Sequence, residues 1–188
     1  MYLELIDAFH AFCEDDRASI GVITGAGDRA FCAGIDLRTA ERSPLAAPSA
    51  APSAAPAGRS ASGCEVGLDY FGPGRELTTE KILIAAINGD THSIGLEWAC
   101  LADFRIAEEH ASFRATAERR DPGWVEGRAV CLPRIIGRER ARELSTTGRV
   151  LDAREALQIG LVNEIVPRGC SLSRSVDLAR RISMLSPR

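Results

Sequence analysis

The sequence predicts an α/β protein with a largely parallel sheet. Three observations carry that prediction. Apolar, β-rich runs at 19–24 (SIGVIT), 82–87 (ILIAAI) and 161–166 (LVNEIV) alternate with helical stretches. The first two runs are stopped abruptly, by Gly25, Gly27 and Asp28 and by Asn88-Gly89. The 188 residues, 45% of them apolar and 26% charged, suit a globular domain with a real core.

Taken in order, residues 2–14 place Leu3, Ile6, Phe9, Phe12 and Cys13 near one helical face. The strand at 19–24 follows, and then a glycine-bearing loop, AFCAGIDL, at 30–37. After the strand at 82–87 come an apolar helix near 94–102 and a strand at 103–107. Residues 138–147 read as helical. Asp152 and Glu155 fit an N-cap and its partner three residues on, opening a helix over 153–159 that Gly160 ends. The strand at 161–166 leads to a last helix at 173–185. A core domain of 1–167 and the start of a C-terminal helical region at 168–188 are therefore expected. Residues 47–58, APSAAPSAAPAG, interrupt this pattern. Proline removes backbone donors, and alanine and serine have little to bury, so a flexible insertion with polyproline-II character is expected at 43–63.

A net charge of −3 with scattered arginines gives no footprint for nucleic acid or an anionic membrane. No apolar run approaches the ~20 residues that span a bilayer. The acidic, amphipathic start does not read as a signal peptide. The six cysteines form no C-x-x-C pair, which argues against a zinc site. Their apolar contexts fit buried, reduced thiols in a cytoplasmic protein.

The segments 21–37 and 85–107 each read as a buried strand, then a glycine-marked turn, then a chain entering a helix. The first N–H groups of a helix have no internal acceptor and sit at its positive end. Two such turns side by side can aim two N–H groups at one oxygen, which stabilises an enolate or tetrahedral oxyanion by ~3–4 kcal/mol per donor in favourable cases.

The runs G-x-x-x-A-F-C-A-G-I-D-L and A-A-I-N-G…G-L-E-x-A-x-x-A-D-F-R-I-A resemble the two oxyanion segments of the enoyl-CoA hydratase/isomerase (crotonase) superfamily. Residues 132–167 are similar to the stretch that follows its active site. The resemblance implies a crotonase-like (ClpP/crotonase) ββα superhelix and an acyl-CoA thioester as partner. Coenzyme A would be part of the substrate, with no resident cofactor and no metal. It also implies fatty acid metabolism as the setting and a homotrimer or dimer of trimers for the full-length fold. Residue by residue, it makes the backbone N–H groups of Ile35 and Ile94 the oxyanion donors. It makes Ala33, Gly34, Asp36 and Gly95 substrate-binding positions and Glu97 a catalytic acid/base. The family's glycine triplet is Ser93, Ile94 and Gly95 here, and the β-branched Ile94 is bulky for that turn. The second family glutamate falls at Ala117, which moves no protons; Glu118, Glu126 and, more weakly, Asp121 are the alternative carboxylates. Asp103, at the end of the apolar helix, reads as a structural cap or an arginine partner. Trp98 and Trp124 read as packing residues, and His10 and His110 as surface or helix-face residues.

Two other readings stay open. Ala117, the altered glycine run and chain ends that look truncated against the family suit a non-catalytic acyl-CoA-binding relative or a gene fragment. The run THSIG at 91–95 suggests a serine hydrolase of related fold with Ser93 as nucleophile, although Thr91 stands where G-x-S-x-G needs glycine.

Overall fold

The computed structural model describes residues 2–34, 58–59, 65–66, 79–115 and 127–185. In chain order the elements are α1 (Tyr2–Glu14), β1 (Ile20–Thr24), β2 (Ala30–Cys32), β3 (Gly58–Arg59), β4 (Glu65–Val66), β5 (Ile82–Ile87), β6 (Asp90–His92), α2 (Ile94–Leu101), β7 (Phe104–Glu108), β8 (Ser112–Arg114), α3 (Gly127–Ile136), α4 (Arg138–Thr147), β9 (Val150–Asp152), α5 (Ala153–Gln158), β10 (Glu164–Val166) and α6 (Ser171–Leu185).

Two four-stranded sheets organise them. The first has the order β1-β5-β7-β10 and is parallel throughout. Its central strand β5 pairs Ile20 through Thr24 with Ile82 through Ala86 on one side, and Ile84 through Ile87 with Phe104 through Ala107 on the other. An unbroken apolar run is what a strand covered on both faces requires. Leu83, Ala85 and Ile87 face the main core, which includes Phe9, Leu96 and Trp98. Ile84 faces the other way, joining Ile106 and Val166 beneath Leu178, Ala179 and Ile182 of α6. The second sheet has the order β2-β6-β8-β9, with only the β8–β9 pair antiparallel.

Buried polar groups tie these layers together. The Asn88 side chain accepts from Gly25 N–H (3.1 Å) and donates to the carbonyls of Gly25 (3.0 Å) and Gly27 (2.9 Å), locking the turn after β5 to the turn after β1. Asp103 accepts from Leu83 N–H through Oδ2 at 2.8 Å, and its own N–H donates to the Leu83 carbonyl. The expected structural role holds, with a strand backbone rather than an arginine as the carboxylate's partner. Lys81 Nζ donates to the carbonyls of Phe12 (2.7 Å) and Asp15 (2.8 Å) at the end of α1, and lies over the Phe12 ring. Glu108, 3% exposed, accepts from the Ser171 hydroxyl (2.7 Å) and N–H (3.3 Å), capping α6.

Several expected boundaries shift. Residues 30–32 are a strand rather than part of a loop, and 90–92, 112–114 and 150–152 are further short strands. Three-residue strands leave too little alternation to read from sequence. The last strand begins at Glu164, not 161, because Leu161 and Val162 are buried in the core before the ladder starts. Within the expected 43–63 insertion, Gly58 and Arg59 pair antiparallel with Val66 and Glu65; the rest of that segment lies outside the described residues. Asp152 does cap α5, accepting from Glu155 N–H at 2.8 Å. The Glu155 carboxylate, however, turns to Arg149 (2.7 and 2.9 Å) instead of closing the capping box. On α1, Leu5 packs on the core along with Phe9 and Cys13, a four-residue spacing; the side chains of Leu3 and Ile6 lie outside the description. Among the described cysteines only Cys100 is buried, and Cys13, Cys32, Cys131 and Cys170 are half-buried free thiols.

Burial disfavours the Glu108 carboxylate, but hydrogen bonds from Gly169 N–H, the Ser171 hydroxyl and Ser171 N–H outweigh it and hold its pKa below the usual value. The stabilisation is present above the ordinary carboxylate range and is lost as pH falls through the depressed folded value. Glu108→Gln is expected to lower stability by about 1–2 kcal/mol near neutrality. It should also flatten the acid side of the stability profile in urea titrations taken at successive pH values.

Candidate active site

β2 and β6 are parallel neighbours, so their C-terminal ends lie on the same side of the sheet. The chain leaves β2 through Ala33, which is exposed, and Gly34, whose φ is +111°. It leaves β6 through Ser93 and enters α2 at Ile94. The two exits touch. A Cβ added at Gly95 would lie 2.1 Å from the Cys32 carbonyl oxygen, so only glycine lets the chains approach this closely. A Cβ added at Gly34 would meet Ser93 Cβ at 3.5 Å and the His92 carbonyl at 3.8 Å.

Ser93 is the strained residue of this junction, with φ 53° and ψ −121°. A side chain rarely adopts that conformation, at a cost of about 1–3 kcal/mol. Its N–H donates to the Arg114 carbonyl (3.1 Å), and its carbonyl accepts from Leu96 (3.0 Å) and Glu97 (3.3 Å) N–H, starting the helix. Ile94 and Gly95 therefore supply first-turn N–H groups, for which the helical ladder has no acceptor. The whole of Ile94–Cys100 is buried.

Glu97 is 5% exposed and sits three residues after Ile94, on the same side of α2. Its neighbours are two thiols. Burial pushes Cys100 up to about 12, against the pull of Arg105, with Cys131 and Glu97 adding to the rise. Burial also raises Cys131; Arg134 opposes that rise and Glu97 reinforces it. Both thiols are thus neutral and poorly nucleophilic near pH 7. The far end of α2 is held by Arg105, 6% exposed, which sequence reasoning did not single out. Its guanidinium donates to the carbonyls of Ala99 (3.4 Å), Ala102, Asp103 (3.5 Å) and Leu161 (2.7 Å). A cation at the negative end of the helix satisfies carbonyls that would otherwise be orphaned.

The structure thus brings Ala33, Gly34, Ile94, Gly95 and Glu97 to one junction. Ile35, Asp36, Ala117, Glu118, Asp121, Trp124 and Glu126 lie outside the described residues. Trp98 is a packing residue, 2% exposed and edge-on to Phe9 at 6.1 Å. His110 is exposed, and its Nε2 faces the Asp28 carbonyl at 3.3 Å; His10 is half-buried on α1. The histidine beside Ser93 is engaged elsewhere: His92 Nε2 lies 3.0 Å from Ser112 Oγ, which donates to Asp90 Oδ1 at 2.6 Å. Serine, not histidine, stands in the middle of that chain, the reverse of a hydrolytic triad.

Residues 74–188, more than half of the chain, match the family model described as enoyl-CoA hydratase/isomerase. The chain belongs to that family. A carnitinyl-CoA dehydratase from Salmonella arizonae is 33% identical over 182 residues, covering 96% of this chain and 64% of the relative. The enoyl-CoA hydratase structure from Bacillus anthracis superposes with a TM-score of 0.70 at 30% identity, over 96% of this chain and 65% of that one. The hydratase from Mycobacterium marinum gives 0.73 at 29%, over 96% and 64%. The fold is accordingly the crotonase fold, and the chain spans about two thirds of the length of these relatives. In this family member the two glycine-marked exits that the sequence singled out are in direct contact.

Ser93→Gly is expected to raise unfolding free energy by about 1 kcal/mol, as release of the left-handed strain exceeds the added chain entropy. Gly95→Ala should lower it by about 2–3 kcal/mol, because a backbone carbonyl has little room to give. Urea denaturation of both variants checks the pair.

Proposed function

We propose that this chain acts on acyl-CoA thioesters as a hydratase or isomerase, holding the thioester carbonyl oxygen with the backbone N–H groups of Ile35 and Ile94. The observation that carries the reading is the contact between the two strand exits at Gly95 and Cys32, with Glu97 buried one turn into the helix. Charge moves onto the thioester oxygen when a proton leaves the α-carbon or a nucleophile adds to the β-carbon. Two fixed N–H groups, that of Ile94 at the start of α2, stabilise that charge without reorganising. Glu97 moves the proton. Ala33, Gly34, Asp36 and Gly95 line the thioester path in this reading, and coenzyme A serves as the substrate's handle. No resident cofactor or metal takes part.

One carboxylate suffices for double-bond migration, in which the proton taken from one carbon is returned to another. Hydration calls for a second acid/base, for which Glu118 and Glu126 are the candidates. Ala117 favours the competing reading of a binding protein without turnover. A homotrimeric or dimer-of-trimers assembly, a cytoplasmic location and a place in fatty acid metabolism belong to the proposal and rest on the family likeness.

The deciding measurement is turnover of crotonyl-CoA and of a 3-enoyl-CoA by the purified protein. Glu97→Gln is expected to lower kcat by about 10²–10⁴ with thioester affinity largely kept. Unaltered turnover in that variant removes Glu97 from the chemistry. Wild-type protein that binds the thioester but converts neither substrate supports the binding-protein reading instead.

A further inference from the structure

The outward face of the second sheet carries a polar chain that the proposed chemistry does not use. Thr91, Phe113 and Leu151 are buried on one face. The residues that alternate with them, Asp90 and His92 on β6 and Ser112 and Arg114 on β8, share the other. The Ser112 hydroxyl has one proton and gives it to Asp90 Oδ1 at 2.6 Å. Ser112 Oγ therefore accepts from His92 Nε2–H at 3.0 Å, which leaves Nδ1 as the atom that titrates. The chain bridges β6 to β8 immediately before Ser93, the residue with the left-handed backbone. One step further on, the Ser93 N–H bond to the Arg114 carbonyl is the last backbone tie before α2 begins.

We propose that His92, Ser112 and Asp90 are positioning residues that hold the Ser93–Ile94 turn, and that protonation of His92 at Nδ1 loosens it. The strain at Ser93 persists only while its neighbours over-determine the conformation, and this chain is the side-chain part of that restraint. His92 stands in register with Arg114, so an imidazolium there places two cations on adjacent strands. Arg114 is anchored, with Nε bonded to the Gly148 carbonyl at 2.9 Å; the larger cost of a charged ring is its burial, which the attraction of Asp90 offsets only in part. Among the described residues, the neighbouring strands bring one further carboxylate, Asp152. β2 brings Ala30 and Cys32 beside β6. β9 sets Val150 opposite Arg114 and Asp152 opposite Ser112, with Asp152 bonded to Glu155 N–H. Burial depresses the His92 pKa, Asp90 partly offsets this, and Arg114 adds to it. Because the folded value lies below the ordinary imidazole value, the ordered turn is present near and above neutrality. It weakens as pH falls through the folded value.

The test follows the His92 ring protons and the Ser93 and Ile94 amides by NMR, without substrate, from about pH 8 to pH 5. Both amides should shift with the His92 midpoint. Asp90→Asn, which removes the opposing charge, should move that midpoint lower. Acyl-CoA affinity, whose part in the inference rests on the proposed function, should fall about tenfold in His92→Leu at pH 7.5. His92→Gln, whose amide can donate to Ser112 but does not titrate, should restore most of the loss and remove the acid limb of binding. Amides that ignore the His92 titration overturn the inference, as does an acid limb shared by wild type and His92→Gln. Wild-type protein that binds no thioester at any pH defeats the proposed function alone, since the amide titration is read without ligand.

Discussion

The junction rests on a contact that excludes a side chain. The backbone at Gly95 lies so close to the Cys32 carbonyl that a Cβ would stand 2.1 Å away. That approach sets the separation between the end of β2 and the start of α2. It consequently sets where any N–H group from one exit lies relative to the other. A larger residue would push the helix off the strand and separate the two halves of the junction, whatever chemistry they perform.

The rest of the fold can be understood as holding that approach steady. Asn88 fastens the turn after β5 to the turn after β1, so the two paired strands end in step. Asp103 and Leu83 exchange hydrogen bonds at the other end of the same layer. α2 is buried from Ile94 through Cys100, and a helix so enclosed has no water to satisfy its ends. Arg105 supplies donors at its C-terminus. Its N-terminus is left facing the junction, where the positive end of the helix and the first-turn N–H groups can meet an anionic oxygen. An eight-residue helix is weak by propensity alone, so tertiary enclosure supplies its stability.

Ser93 shows how strain and placement are linked. The conformation it adopts suits glycine, yet a side chain occupies it, and two sets of contacts keep it there. One is the backbone bond to Arg114; the other is the polar chain of His92, Ser112 and Asp90 across the adjoining strands. Strain that is held from outside can be released from outside, which gives a half-buried histidine influence over the start of α2.

By itself the sequence determined most of the long elements, though not α3, and singled out positions that the fold brings to one junction. The ILIAAI run gave β5 to the residue, because a strand buried on both faces needs uninterrupted apolar residues and Asn88-Gly89 stops it. Asp152 and Gly160 marked the ends of α5 through local hydrogen bonding and a positive φ. Glu97, Ile94 and Gly95 were legible through their family-like spacing. The tertiary structure alone decided what depends on sheet order. It paired β2 with β6, made three-residue strands out of segments too short to show a period, and seated Gly95 on Cys32. It also turned Glu155 toward Arg149 and joined His92 to Asp90 through a serine on another strand. Periodicity and capping act over a few neighbouring residues and can be read along the chain. Contacts between distant segments exist only once the sheets have fixed which strands lie side by side.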